Sequence, residues 1–197
     1  YKKNIVLSTG MSDLNKIRET LKILKKNQVV VMHCISSYPT KSSNSNLNSI
    51  DFLQQKINNQ IGLSDHTKNN IASLVSIGKG VKVFEKHFLP DKKIRKVGDY
   101  ELSLNPDEMQ KYCNEINEAY KSLGKTEKKI FQCEKKFYNN LCRSIYFSEK
   151  IKKNTIIDLK HLKFVRPYNK KGLKIKNYKK MIGKRAKKNY KNLELVK

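Results

Sequence analysis

Two histidines stand next to acidic residues at points where short apolar runs of the sequence end. His66 directly follows Asp65, and His87 comes two residues after Glu85. The histidines are 21 residues apart, about the length of one strand and helix unit, so both imidazoles would lie at one edge of a parallel sheet. Imidazole is a common ligand of divalent metals, although a lone histidine at a strand end is more often a hydrogen-bonded core residue. The pattern favours His66 and His87 as metal ligands and leaves the core interpretation open.

Small hydroxyl residues follow three of the same apolar runs. They are Ser8, Ser36 and Ser64. Hydroxyl groups and nearby backbone amides suit phosphate or carboxylate oxygens, whereas an isolated loop serine is usually only solvated. Because the three serines are expected at one edge, they favour an anion site there. His33 either contributes to this site or packs as an orienting residue, and His161, far along the chain, is expected to have no catalytic role.

The elements that would position these groups alternate between strands and helices. The predicted strands are residues 5–7, 29–32, 61–63 and 81–84. The predicted helices are residues 14–24, 50–57, 71–78 and 105–123, with Ser12 capping the first and Asn105 the last. Alternating strands and helices require parallel strands with right-handed crossovers. A complete (β/α)8 barrel needs about 250 residues, so four units in residues 1–124 predict the second half of a TIM-type barrel.

The rest of the chain predicts a second, smaller domain. Residues 125–138 begin with a charged run and are interpreted as a linker. In residues 139–197, β-type runs at 144–147, 155–157 and 162–165 alternate with lysine-rich turns and a helical piece at 178–182. The predicted fold class is therefore α/β, with a half-barrel followed by a small β-rich domain.

The composition restricts the class of protein. The formal net charge is +26 over 197 residues, but the lysines are spread through every segment, so we expect solvated surface positions and no nucleic-acid partner. No run of about 18 apolar residues occurs, so no membrane association is expected. The four cysteines form no CxxC pair, and together with the lack of a signal peptide they favour a cytoplasmic protein. Tyr1 in place of an initiator methionine suggests that the sequence begins inside a longer reading frame.

Four segments carry a family resemblance. Residues 5–11 (IVLSTGM), 33–40 (HCISSYPT), 61–67 (IGLSDHT) and 84–88 (FEKHF) resemble, in order and spacing, the last four barrel strands of sialic acid synthases. The second region resembles the antifreeze-like (SAF, β-clip) domain of that family at residues 143–146, 151–153, 165–167 and 182–184. The resemblance covers nearly all of the chain.

The resemblance implies an enzyme, a transferase that condenses phosphoenolpyruvate with an N-acetylmannosamine-type sugar and releases phosphate by C–O cleavage. It implies manganese or magnesium held by His66 and His87, and phosphoenolpyruvate held by Ser8, Ser36 and Ser64. It assigns Tyr38, Asp99 and Arg166 to the sugar and Glu85 and Asp65 to catalysis. It also implies a domain-swapped homodimer.

The departures from the family leave alternatives open. The family's barrel opens with four further strands, which supply a lysine and a glutamate to the site and are not in this sequence. Ser36 stands where the family often has asparagine, which hints at pseudaminic or legionaminic acid synthases acting on a 2,4-diacetamido-trideoxyhexose. A non-catalytic carbohydrate-binding remnant is the alternative of another class.

Overall fold

The computed structural model describes residues 3–91 and 98–197 and divides the chain into two compact units. The first unit is Tyr1–Lys125 and the second is Thr126–Lys197. Most of the segment interpreted as a linker belongs to the second unit, where it contains one short helix, Gln132–Lys135, and the first residue of another, Tyr138–Leu141. The exact domain bounds stay a prediction.

The first unit is a sheet of four parallel strands in sequential order, connected by helices. The strands are β1 (Asn4–Ser8), β2 (Gln28–Cys34), β3 (Gln60–Asp65) and β4 (Phe84–Lys86). The helices are α1 (Leu14–Ile23), α2 (Asn48–Lys56), α3 (Ile71–Gly78) and α4 (Pro106–Leu123). This arrangement confirms the predicted α/β half-barrel.

The core of the first unit lies between the sheet and its helices. Val31 on β2, Ile50 on α2 and Val81 before β4 are completely buried there. The opposite face, called the open face below, is only partly covered in this chain: Val6 on β1 is 56% exposed, whereas Met32 on β2 and Ser64 on β3 are buried. Parallel sheets normally have both faces covered and their edges paired. The open face and the outer edges of β1 and β4 are therefore where a closed barrel would continue.

Two local predictions in this unit were wrong in detail. Asp13 caps α1 by accepting a hydrogen bond from the Lys16 amide (2.9 Å), whereas the Ser12 hydroxyl donates to the Gly10 carbonyl. The fourth strand begins at Phe84 and not at Val81. The Val81 amide donates to the Ser76 carbonyl in α3, so this residue lies in the turn that follows the helix.

The second unit surrounds a separate apolar core. Its sheet pairs β5 (Ser144–Phe147) with β6 (Leu162–Val165) in antiparallel register. Helices α5 (Gln132–Lys135) and α6 (Tyr138–Leu141) precede the sheet. The predicted strand at 155–157 forms only one bridge, from Ile156 to Arg185, and the predicted helical piece at 178–182 is a 3-10 helix at Ile175–Lys180. In the part of the chain that the structure describes, no helix is long and apolar enough to cross a membrane.

Candidate active site

The carboxyl ends of β3 and β4 bring several predicted residues together. Ser64 and Glu85 are neighbours in the strand register, and the Ser64 hydroxyl donates to Glu85 Oε1 over 2.6 Å. Ser64 Oγ also lies 3.2 Å from His66 Nε2. Side chains alternate between the two faces of a strand, so Ser64 and Glu85 share the open face of the sheet. Serine, carboxylate and imidazole thus form one polar cluster at the strand ends.

The hydrogen bonds of His66 define its tautomer. Its Nδ1 lies 2.7 Å from the Ile35 carbonyl, which can only accept, so Nδ1 carries the proton. In the neutral ring Nε2 then has a lone pair. The Ser64 hydrogen points to Glu85 and does not occupy that lone pair. An imidazole held through Nδ1 by a carbonyl, with Nε2 directed into a site, is the usual arrangement of a metal-ligating histidine.

Three rings meet at this edge of the sheet. The centroids of His66 and His87 are 5.3 Å apart, and the Tyr38 ring lies 4.3 Å from His66 and 5.7 Å from His87. Asp99 Oδ2 is 3.6 Å from His87 Nδ1, which is too far for a firm hydrogen bond. The structure therefore brings Tyr38 and Asp99, both predicted sugar contacts, beside the two predicted metal ligands.

The arrangement fits a divalent ion that keeps open coordination positions. His66 offers a free Nε2 lone pair, and the His87 ring is close enough for the two imidazoles to reach one ion. Across residues 3–91 and 98–197, no group of three or more His, Cys, Asp or Glu side chains is arranged to hold a metal. Further ligands would come from water, substrate or other chain segments, as is usual in catalytic sites.

The other predicted serines lie toward β1 and β2. Ser8 Oγ is 3.1 Å from the Sγ of Cys34, and Cys34 is the register partner of Ser64. Ser36 packs against the turn after β1, where a Cβ built on Gly10 would lie 2.1 Å from Ser36 Oγ. A side chain at position 10 would therefore displace the Ser36 hydroxyl from its present position. The three serines follow the edge of the sheet from β1 to β3.

Asp65 is placed apart from the other predicted catalytic groups. It is 2% exposed and lies on the helix-covered side of the sheet, where it accepts hydrogen bonds from the Thr67 amide (2.8 Å) and the Ser73 hydroxyl (2.7 Å). Lys86 Nζ lies 3.2 Å away. The sequence reasoning missed Lys86, although its position between Glu85 and His87 on a strand already places it on the opposite face.

Burial is the largest cause of the pKa shifts on the helix-covered side of the sheet. It lowers the pKa of Lys86, and the neighbouring Asp65 carboxylate offsets part of this effect. It also raises the pKa of Tyr112, whose hydroxyl donates to Ser73, to about 12.

The remaining histidines and Arg166 have local partners. His33 lies within β2, and its Nε2 donates to the Ser45 carbonyl over 2.9 Å, so it orients the loop that follows the strand. His161 Nδ1 accepts from the Asp158 amide in the second unit. Arg166, also in the second unit, donates from Nε to the Leu141 carbonyl over 2.6 Å.

Comparison with known proteins agrees with this architecture. The NeuB family model matches residues 1–128, and the SAF domain model matches residues 143–197. An N,N'-diacetyllegionaminic acid synthase of Campylobacter jejuni serotype O:2 is 35% identical over 98% of this chain and 59% of its own length. A pseudaminic acid synthase of Campylobacter jejuni serotype O:23/36 is 36% identical over 95% of this chain and 54% of its own.

Among solved structures, the N-acetylneuraminic acid (sialic acid) synthetase of Leptospira borgpetersenii in complex with citrate superposes with a TM-score of 0.60 at 31% identity. The superposition covers 66% of this chain and 46% of that chain. The chain thus spans about half the length of the relatives it matches. Since one family model covers well over half of the sequence and the folds agree, the chain belongs to the NeuB family, and its half-barrel is followed in the sequence by a SAF domain.

Proposed function

We propose that this chain supplies the metal-binding half of a nonulosonic acid synthase, which condenses phosphoenolpyruvate with an amino sugar. The observation that carries the proposal is the cluster of Ser64, Glu85, His66 and His87 at the ends of β3 and β4. Family membership and the activities named for the two Campylobacter jejuni relatives support it.

Manganese or magnesium would be held by the His66 and His87 imidazoles. When bound, such an ion would polarise the aldehyde oxygen of the open-chain sugar as a Lewis acid. His66 is prepared for this role because the Ile35 carbonyl fixes its tautomer. The Tyr38 ring lies against both imidazoles.

The chemistry requires one group that handles a proton. The enol carbon of phosphoenolpyruvate forms a bond to the aldehyde carbon, and the aldehyde oxygen becomes a hydroxyl by taking up one proton, which is balanced by the proton lost from the water that adds next. Water then adds at the adjacent cationic carbon, and the tetrahedral product expels phosphate by C–O cleavage. Glu85 is exposed on the open face, and its Oε1 already accepts from Ser64, so its other oxygen can take the proton of that water.

Ser8, Ser36 and Ser64 would hold the phosphate and carboxylate of phosphoenolpyruvate. They line one edge of the sheet, and the net charge of +26 favours the approach of an anion. Tyr38 and Asp99 would contact the sugar from the barrel, and Arg166 from the SAF domain of a second subunit in a swapped dimer.

The amino sugar would be of the N-acetylmannosamine type. A second candidate, a 2,4-diacetamido-trideoxyhexose, is favoured by Ser36 and by the two relatives whose names specify legionaminic and pseudaminic acid. Phosphate release measured separately with each sugar and phosphoenolpyruvate distinguishes the two.

The test uses a barrel-completing chimera, in which the first four strand and helix units of the Campylobacter jejuni legionaminic acid synthase precede Tyr1. We expect manganese-dependent phosphate release from the chimera and none from this chain alone, whose inner sheet face is open. His66→Ala and His87→Ala should each reduce manganese affinity and lower turnover by orders of magnitude. His161→Gln, in the second unit, is the matched control and should leave both unchanged.

Unchanged manganese affinity in both alanine variants would refute the metal assignment. A folded chimera that binds the sugar without releasing phosphate would instead support a non-catalytic carbohydrate-binding protein.

A further inference from the structure

Asp65 and Lys86 form an ion pair on the helix-covered side of the sheet, opposite the residues of the candidate site. Asp65 lies between Ser64 and His66 on β3, and Lys86 lies between Glu85 and His87 at the end of β4. The two are register partners, and both side chains are only 1% exposed. We propose that this buried pair is a positioning device that fixes the two strand ends and thereby aims His66 and His87 at a shared ion. The ion itself rests on the proposed function.

The pair holds the residue that follows His66 through both of its peptide groups. Asp65 Oδ1 accepts from the Thr67 amide over 2.8 Å, and Lys86 Nζ donates to the Thr67 carbonyl over 2.5 Å. Lys86 Nζ also donates to the Asn69 carbonyl over 3.2 Å. The backbone that leaves His66 is therefore tied to β4, and a shift of either strand end would have to break these contacts.

The outer helices complete the arrangement. Ser73 on α3 donates to Asp65 Oδ2 over 2.7 Å, and Tyr112 on α4 donates to Ser73 Oγ over 2.9 Å. Both carboxylate oxygens of Asp65 are thus engaged. A buried ion pair is seldom more stabilising than a well-packed apolar pair of the same size, because both charges lose their hydration. Its directional contacts to Thr67 and Asn69, which an apolar pair cannot make, point to geometry as its role.

The test compares the thermal stability of variants of this pair with the geometry of their metal site. In the double variant Asp65→Leu with Lys86→Met, an apolar pair replaces the charges, and thermal unfolding should recover most of the loss caused by Lys86→Met; the remaining deficit comes from the Thr67 amide and the Ser73 hydroxyl, which lose their acceptor. Lys86→Met alone should unfold at much lower temperature, because it leaves a buried carboxylate without its cation. If the pair only stabilised the fold, the double variant would also recover every property of the site.

We expect the double variant to lose the geometry of the site. In this chain labelled with ¹⁵N-histidine, the His66 Nδ1–H resonance, protected by the Ile35 carbonyl, should broaden or exchange rapidly with water. In the chimera, manganese affinity measured by electron paramagnetic resonance should fall about 10- to 100-fold, the range typical for outer partners of metal ligands. Turnover should fall with it, while the Michaelis constant for phosphoenolpyruvate changes little. Lys79→Met removes an ion pair to Asp51 elsewhere in the unit and is the matched control, expected to change none of these.

A protected His66 resonance and manganese affinity within twofold of the parent in the folded double variant would overturn the proposal. If the double variant fails to fold, the manganese affinity of Ser73→Ala tests the proposal instead. It removes one hydrogen bond to Asp65 and the acceptor of the Tyr112 hydroxyl, so it should lower the unfolding temperature modestly and weaken manganese binding about threefold or more. A parent chimera that binds no manganese would refute the proposed function, whereas the His66 resonance tests the positioning role without metal.

Discussion

Substitution of Gly10 by alanine should separate the shape of the anion site from the stability of the fold. The new Cβ would lie 2.1 Å from Ser36 Oγ, whereas ordinary contacts begin near 3.4 Å, so the hydroxyl must retreat by about 1.3 Å. Ser36 Cβ, at 3.4 Å, can remain in place, and Cys34 Sγ, at 3.2 Å, needs to shift by only a few tenths of an ångström. A change to another staggered rotamer of Ser36 provides the displacement at a cost of about 1 kcal/mol. The fold should therefore survive the substitution.

The effect on substrate binding should be larger. If Ser36 holds an anionic oxygen of phosphoenolpyruvate, the displaced hydroxyl forfeits a charge-assisted hydrogen bond worth about 1.5–3 kcal/mol. The Michaelis constant for phosphoenolpyruvate in the chimera should then rise about 10- to 150-fold. The assay is initial-rate phosphate release at varied phosphoenolpyruvate, beside urea unfolding of each variant.

A double-mutant cycle makes the reasoning refutable. Ser36→Ala should raise the same constant by itself, and Gly10→Ala added to it should do little more, because the clashing oxygen is already gone. Gly78→Ala, which meets no atom within 4 Å at the end of α3, is the control and should leave the constant unchanged. An unchanged constant in Gly10→Ala, or strictly additive effects in the cycle, would refute the assignment of Ser36.

Three further predictions concern other parts of the chain. Tyr112→Phe should remove a pH dependence of stability. Because burial raises the pKa of Tyr112 to about 12, it gives the parent about 2–3 kcal/mol of stability that is fully present below pH 10 and is lost as the pH rises toward 12. The free energy of unfolding in urea should therefore fall more steeply between pH 9 and pH 11 in the parent than in the variant. Equal declines would contradict it. Gly62→Ala should destabilise the first unit by about 1–3 kcal/mol, because its Cβ would lie 2.9 Å from the Val83 carbonyl, while Gly78→Ala should not, as compared by thermal unfolding. Arg166→Ala in the chimera should raise the Michaelis constant for the sugar far more than that for phosphoenolpyruvate, and equal effects on both would remove Arg166 from the sugar site.

The helix that follows the last strand was predictable because its signals are local. Asn105 and Glu108 form the capping box that their spacing indicates, with reciprocal hydrogen bonds of 2.9 Å. Pro106 occupies the first turn, where its missing amide costs nothing. The cap of the first helix was predicted at Ser12 and this was wrong, because Asp13 is a capping residue as well and the path of the chain after β1 places it at the start of the helix.

The sequence by itself determined the order of four parallel strands, the residues at their carboxyl ends and the half-barrel they form. Apolar runs separated by amphipathic helices permit few other topologies. The positions of Ser64, His66, Glu85 and His87 at one edge follow directly from that order.

The tertiary structure alone decided what each of those residues faces. Because side chains alternate along a strand, the sequence shows that Asp65 and Lys86 lie on the face opposite to that of their chain neighbours. It does not show which of the two faces the helices cover. Packing of α3 and α4 on one side buries Asp65 with Lys86, Ser73 and Tyr112, and leaves Glu85 on the open side. The tautomer of His66 likewise depends on the Ile35 carbonyl, 31 residues away in the chain, which reaches the ring only after β2 and β3 have paired. Local patterns can place a residue on a strand, but the partner that fixes its chemical role is brought to it by the fold.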